Sequence, residues 1–304
     1  MRLFVTGGTG ALGRHAVPAL VGAGHDVRAL ARSARKAEVL RDQGAEPVSG
    51  SIVDRDALAA AFRGCDAVVN LASSIPSTTS FVRASAWDEC TRVRAEGSAA
   101  IVDAALRVGV GRFIQESVVM VYRDGDDRWL DEQSAVDHYP ITVGNHAAER
   151  SARRFTEAGM HGLVLRFGLF YGPGAAHSEQ FVDLARRHVG FTAGRADSFQ
   201  SSIYLPDATT AIVAALTAPS HLYNIVDDRP VTKRENVDAL VAATGRRAWL
   251  RGPGRAAELL GTRTTSLTRS LRVSNAAFRE ATPWRPRFPS VRDGYADMVS
   301  ATRR

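Results

Sequence analysis

The feature that most constrains this chain lies near its start. The segment Phe4-Val5-Thr6-Gly7-Gly8-Thr9-Gly10-Ala11-Leu12-Gly13 joins a short apolar strand to a helical pattern, with Gly7, Gly10 and Gly13 spaced three apart. In a strand–turn–helix context each glycine has its own task. The first allows a tight turn, the second lets a pyrophosphate approach the backbone, and the third lets the helix pack closely on the sheet. The helix start then offers N–H groups and a positive dipole end to the phosphates. The turn thus predicts a dinucleotide site built from Gly7, Thr9, Gly10, Ala11, Leu12 and Gly13. The competing reading is a glycine-rich turn with no ligand, and the flanking strand and helix weigh against it.

Further along, strand and helix patterns alternate. Apolar strands read at RLFVTG, DVRALAR, AEPVSGSI, CDAVVNLAS and RFIQESV, with helices over about 54–63 and 87–108. Repeated strand–helix–strand units mean a parallel sheet covered by helices on both faces. The second half loosens the pattern: HGLVLRFGLFYGPG runs from a strand into a Gly/Pro loop, and the prolines of PWRPRFPS impose another loop. The expected class is α/β, a Rossmann-like doubly wound parallel sheet with a smaller C-terminal substrate lobe. The expected division is a dinucleotide-binding domain over 1–165 and, over 166–304, a mainly substrate-binding lobe, some of whose strands and helices return to the first.

Bulk composition narrows the partners. With 304 residues, 45% of them hydrophobic, the chain can bury a large core. No signal peptide, run of 18 apolar residues or disulfide pattern is apparent, so a reducing cytoplasm and no membrane are the expectation. Cys65 and Cys90 lack metal-ligand spacing, so no metal is expected. The formal charge of +7 comes almost wholly from scattered arginines. No nucleic-acid reading motif accompanies it, so no nucleic-acid partner is expected. The expected partner is a small-molecule substrate.

The end of the second strand selects the cofactor. An acid there would bind the ribose 2′-hydroxyl of NAD, whereas an arginine accommodates the 2′-phosphate of NADP. Ala31 stands at the acid's place, followed by Arg32 and Ser33, with Arg35 and Lys36 behind. This favours NADP(H) over NAD(H), with Arg32 and Ser33 as the contacts. Arg35 and Lys36 read better as a solvated helix start.

Several segments together resemble the extended short-chain dehydrogenase/reductase family, of the NAD(P)-dependent epimerase/dehydratase type. TGGTGALG, GSIVD, VVNLAS and LRFGLFYGPG are each similar to a family segment, and YNIVDDRPVTKRE and WRPRFPSVRDG look like its late segments. The resemblance implies that Ser51 and Ile52 lie at the adenine, and that Leu71, Ala72 and Ser73 line the cofactor. It places Phe167 at the nicotinamide and Tyr171 at the substrate or as a loop anchor. His177, Gln180 and Phe181 would follow in the substrate wall. It also implies a homodimer.

The family's triad is a Ser/Thr, a Tyr acid/base, and a Lys four residues after the Tyr. The Ser/Thr lies four residues before the Tyr of a Val-Tyr-Gly segment. Here that count back from Tyr122 lands on Val118, and Ser117 is one residue off, on the opposite face of a strand. Tyr139 is followed four residues later by Val143; anchoring on Glu149 instead puts Ile141 and Asn145 at the pair. Lys36 and Lys233 are the only lysines, so neither alignment supplies an ammonium. A phenol titrates near about 10 and burial moves it higher, which makes a poor base. Tyr139 is therefore expected as a hydrogen-bond donor with no cation beside it. Ser117, Asn145 and Glu116 are the further catalytic candidates, Glu116 either as base or as partner of an arginine. His138 and His146 are stand-ins, and Arg94 occupies a place where the family usually has Asn. Arg263, Arg269 and Arg272 either bind an anionic head group or form a solvated helix face.

The functional expectation is an atypical NADP(H)-binding short-chain reductase. It would act on a carbonyl or related group of a sugar-like or secondary-metabolite intermediate. The alternatives are a non-redox isomerisation, cyclisation or elimination around a bound dinucleotide, or a non-catalytic dinucleotide sensor.

Overall fold

A computed structural model describes residues 1–301. Seven parallel strands, numbered along the chain, form the central sheet: β1 (Arg2–Thr6), β2 (Asp26–Ala31), β3 (Glu46–Ser49), β4 (Ala67–Asn70), β5 (Arg112–Val118), β7 (His161–Phe167) and β12 (Leu222–Ile225). Their order is β12-β7-β5-β4-β1-β2-β3. The chain moves outward from β1 in one direction through β2 and β3, then returns to place β4 on the other side. A crevice therefore opens at the carboxyl ends of β1 and β4, the switch point where open α/β sheets bind ligands.

The inner strands are mainly apolar because both faces of the sheet are covered. Leu3 and Val5 of β1 enter one core with Ala16, Val17 and Leu20 of α1 (Gly13–Gly22) and Ala208 and Ile212 of α8 (Leu205–Ala215). Phe4, between them, turns to the other face. There it meets Leu58 and Phe62 of α3 (Arg55–Phe62), Ile101 of α5 (Ser98–Arg107) and Phe155 of α6 (Val143–Glu157). The Phe4 and Phe62 rings meet edge to face at 4.8 Å. Truncating such a ring costs ~3–5 kcal/mol. The Asp54 carboxylate caps α3 by accepting from the Asp56 and Ala57 amides, so this acid of GSIVD serves a helix start. Ser33 caps α2 (Ala34–Asp42) in the same way, through the Lys36 amide.

The helix read over 87–108 is interrupted. It comprises a 3-10 turn at Ala84–Trp87, α4 (Asp88–Arg92), a π turn at Val93–Gly97 and α5. Such π turns are rare and often mark functional sites; this one carries Arg94.

The smaller lobe contains α7 (Ala176–Arg186), β9 (Val189–Ala193) paired in parallel with β14 (Leu250–Gly254), α9 (Lys233–Ala243) and a final helix, Val291–Ala301. A Thr232/Glu235 capping box starts α9. Three further short pairings lie outside the central sheet: β6 (Trp129–Leu130) with β15 (Arg272–Val273), β8 (Leu169–Tyr171) with β11 (Ser202–Tyr204), and β10 (Phe199–Gln200) with β13 (Val231–Thr232). Within the second half, β12 and α8 return to the main sheet and its covering layer. Among the described residues no helix is long and apolar enough to cross a membrane.

Candidate functional site

The glycine turn has the geometry its spacing predicts. Gly7 has φ +74, and a Cβ there would lie 2.5 Å from the Leu71 carbonyl. The turn is therefore pressed on Leu71 and Ala72 at the end of β4. A Cβ on Gly13 would meet the Gly7 oxygen at 2.1 Å, so α1 packs directly on the turn. At Gly10 the nearest atom is the Gly7 oxygen, at 3.2 Å, and beyond it the space is open. Gly10 and Ala11 are exposed, Thr9 is half-buried, and Leu12 is buried in the core below. This is a cradle that fits a phosphate group, with backbone and a helix start as its floor.

The crevice walls follow. Ser73 and Ala72 are half-buried at the end of β4. Ser51 is exposed beyond β3, while Ile52 is buried against Gly97. Arg32 and Ser33 are exposed at the end of β2. Lys36 lies near enough to Arg32 that burial, and then the Arg32 charge, hold it below the usual lysine value. Lys36 is half-buried in the first turn of α2. On the opposite rim, His15 Nε2 donates to the Pro173 carbonyl at 3.0 Å, which lays the Gly/Pro loop over α1. Phe167 departs from expectation: its side chain is buried in the core beside Phe170, at 5.4 Å between rings.

Below the crevice a buried polar chain crosses the strand ends. Thr6 Oγ1 donates to Asn70 Oδ1 at 2.5 Å, Asn70 Nδ2 to Gln115 Oε1 at 2.8 Å, and Gln115 Nε2 to the Glu116 carbonyl at 2.8 Å. Arg94, from the π turn, closes the chain on the Glu116 carboxylate at 2.8 Å. Burial pushes Glu116 upward, and Arg94 opposes that shift. Glu116 is therefore a partner of Arg94 and not a free base, because its carboxylate is buried and already paired.

Three further expectations are corrected. The Ser117 hydroxyl donates to Glu149 Oε1 at 2.7 Å. Its strand face turns it toward α6, away from the crevice, so it is no catalytic hydroxyl. The Tyr139 hydroxyl donates to the Met120 carbonyl at 2.8 Å, so its proton is committed to the backbone. And a cation does lie beside Tyr139: the Arg269 guanidinium sits 4.8 Å over the ring. It faces the π cloud, not the oxygen, and burial still drives the phenol upward. Arg269 also donates to the Tyr122 carbonyl at 2.7 Å and pairs with Asp137, so it is a structural tie and not a head-group ligand. Arg272 lies between the Trp129 and Phe199 rings, at 4.4 and 4.7 Å.

Asn145 behaves differently. It is buried and its Nδ2 has no hydrogen-bond partner among the described residues. Glu149, one turn on, is held by Arg166 and Ser117. His146 donates to the Asp137 carbonyl and its ring lies tilted, 4.0 Å from that of His138; burial keeps its pKa below the usual value. Lys233, remote in sequence, donates to the Ala193 and Leu267 carbonyls at 2.8 and 2.7 Å.

On the substrate side, Tyr171 is a packing residue and not a substrate contact. It is buried against Tyr204 and Tyr295, at 5.3 and 5.2 Å. His177 Nε2 donates to the Phe170 carbonyl at 2.6 Å, and Phe181 stacks on Phe191 at 5.0 Å. Thr78 donates to Gln180 at 2.6 Å, tying the irregular segment after β4 to α7. Sequence reasoning missed Phe81 and Trp87 in that segment. Trp87 forms a small buried cluster with Cys90, Tyr139 and Ile141, and the partly buried Phe81 packs against it.

Comparison with known proteins agrees with this architecture. Residues 3–225 match the NAD dependent epimerase/dehydratase family. The chain belongs to that family. Membership places it among nicotinamide-dependent enzymes of the epimerase/dehydratase type. This family member is 28% identical over 306 aligned residues to a Streptomyces 3-diazoavenalumate denitrifying reductase, covering 97% of this chain and 99% of that one. It is 29% identical over 260 residues to a 4-hydroxy-2-methyl-3-oxo-4-farnesyl-3,4-dihydroquinoline-1-oxide ketoreductase of Stigmatella aurantiaca, covering 82% and 75%. Its fold matches human epimerase family protein SDR39U1, solved with NADPH, with a TM-score of 0.81 and 22% identity over 99% of each chain. Thermotoga maritima UDP-glucose 4-epimerase matches equally, with a TM-score of 0.81 and 22% identity over 100% and 99%.

Proposed function

We propose that this chain is an NADP(H)-dependent reductase of a carbonyl or related electrophilic group on a small molecule, working without a Tyr/Lys acid–base pair. One observation carries the reading. At the helix start where the resemblance expects that pair, the one tyrosine hydroxyl is spent on the Met120 carbonyl, while Asn145 keeps a buried, unpartnered amide donor. Asn145 would orient the nicotinamide ribose by hydrogen bonding, without lowering any phenol's pKa. Gly7, Gly10, Ala11 and Gly13 would cradle the pyrophosphate, and Arg32 with Lys36 would meet a 2′-phosphate. A bound NADPH supplies the hydride.

The chain's own residues then have a limited task. They hold the acceptor and exclude water, and they supply no strong base. This suits an acceptor that is electrophilic already or takes its proton from solvent. Two relatives support the reductive direction, since their names describe a denitrifying reductase of a diazo compound and a ketoreductase.

The test loads purified protein with NADPH and follows nicotinamide absorbance against ketones, aldehydes and aryl diazo compounds. Oxidation that Gly10→Trp abolishes is the expected result, because the new side chain fills the open space above the turn. Tight NADPH binding with no oxidation by any acceptor overturns the reading. Turnover without net NADPH change selects the non-redox alternative. Arg32→Ala is expected to weaken NADPH far more than NADH; equal loss refutes the NADP preference.

A further inference from the structure

Beside the Tyr139 cluster lies a cavity of about 390 Å³. Its walls include Phe81 and Trp87 from the segment after β4, Pro140 and Ile141 from the turn before α6, Asp88 at the start of α4, and Arg263 from the lobe. We propose that this cavity binds the acceptor, and that the acceptor is a flat, mainly apolar carboxylic acid whose carboxylate meets Arg263. That it is the acceptor's place rests on the reductase reading above; that it binds such an acid does not.

Size and lining set the class. The volume is at the small end of ligand pockets. The Phe81 and Trp87 rings meet at 5.0 Å and 83°, and the indole N–H is committed to the Phe81 carbonyl at 2.8 Å. Ring surface is thus what the indole has left to offer, which suits a planar apolar partner. Arg263 has no ion-pair or hydrogen-bond partner among the described residues. An arginine fork matches one carboxylate. A diphosphate would demand more cations than these walls hold.

Asp88 sharpens the orientation. Its carboxylate is also unpaired among the described residues. It disfavours a second negative charge on the ligand and repels the acid group from its own wall, leaving Arg263 as the place for it. Ile141, on the cavity wall, lies in the turn that leads directly into α6, the helix that carries Asn145. Asn145, with its unpartnered amide, stands in the first turn of that helix. One short stretch of chain thus joins the cavity wall to the donor assigned to the nicotinamide ribose.

The test is calorimetric titration of the NADPH-loaded protein with benzoate, cinnamate and 2-naphthoate, each against its primary amide. Acids are expected to bind about tenfold or more tightly than amides, as a charge-assisted contact implies. Arg263→Gln should remove that difference. Ser85→Trp, which adds bulk from an exposed position on the lining, should abolish binding of both while NADPH affinity stays unchanged. Equal binding of acid and amide, or an Arg263→Gln protein that still prefers acids, overturns the proposal. Two results separate the pocket from the reaction. Acids that bind as expected while no acceptor oxidises NADPH leave the acid site standing and remove the reductase reading. NADPH oxidation that Ser85→Trp leaves untouched keeps the reductase reading and overturns the cavity as the acceptor's place.

Discussion

Arg166 grips the Glu149 carboxylate through two bonds, Nε to Oε1 at 2.8 Å and Nη2 to Oε2 at 2.7 Å. Both side chains are buried between β7 and α6, and the Arg166 guanidinium also covers the Tyr122 ring at 4.8 Å. This pair locks the helix that carries Asn145 to the sheet. Breaking one half of a buried ion pair costs ~3–5 kcal/mol, because the other charge is left unpaired. Arg166→Met is therefore expected to lose about that much in urea unfolding. The double variant Arg166→Met/Glu149→Leu should recover much of it. A double variant no more stable than the single one would show that the pair does more than neutralise itself.

The glycine turn separates folding from binding. Gly13→Ala drives a methyl to 2.1 Å from the Gly7 oxygen, and backbone atoms on both sides leave it nowhere to go. Gly10→Ala meets the same oxygen at 3.2 Å and otherwise open space. The first should lower the melting temperature markedly. The second should melt within a few degrees of the parent yet bind NADPH more weakly. Reversed outcomes would mean that the open space above Gly10 is not the phosphate's place.

Much of this was legible in the chain because it is local. Gly7, Gly10 and Gly13 do their work within one turn, and the parallel strands announce themselves as apolar runs. Roles set by distant partners were not legible. Ser117 reads from its position as a displaced catalytic hydroxyl, but its partner, 32 residues away, makes it a tie to α6. Glu116 depends on Arg94, which a π turn rotates into place. Tyr139 was expected to lack a cation, and Arg269 reaches it from the far end of the chain. Tyr171 sits in a recognisable Gly/Pro segment, but Tyr204 and Tyr295 decide that it is core. The cavity wall at Phe81 lies in irregular backbone, where no period of two or 3.6 exists to be read.

Lys233 gives the lobe a pH signature. Its ammonium is tied to two backbone carbonyls, and burial brings its pKa down to about 8 from 10.5. Between those values the unfolded chain still holds a proton that the folded chain has released. Stability from this group therefore rises with pH across that window and is lowest below it, where the buried charge carries its full desolvation cost. The check is urea unfolding of the parent and Lys233→Met from about pH 7 to about pH 9.5, below the range where tyrosines ionise. The variant loses two carbonyl contacts at every pH, a constant offset. The difference, parent minus variant, should climb with pH; a flat difference would mean that Lys233 titrates normally, and a falling one that folding raises its pKa.

Tyr139→Phe decides whether the phenol takes part in chemistry. Its hydroxyl donates to the Met120 carbonyl, its ring lies under Arg269, and burial holds its pKa well above the ordinary value. A group so placed joins the strand end to the start of α6 and has no proton to lend at neutral pH. Deleting the oxygen removes one hydrogen bond, a net cost of ~0.5–1.5 kcal/mol, and leaves the ring contact intact. With an acceptor identified, turnover should fall by no more than about threefold, and the pH dependence of kcat should keep its shape, because general acid–base help is worth about 10²–10⁴-fold where it operates. A fall of that larger size, with folding and NADPH binding intact, would return Tyr139 to the reaction and require the Met120 bond to break when the acceptor binds.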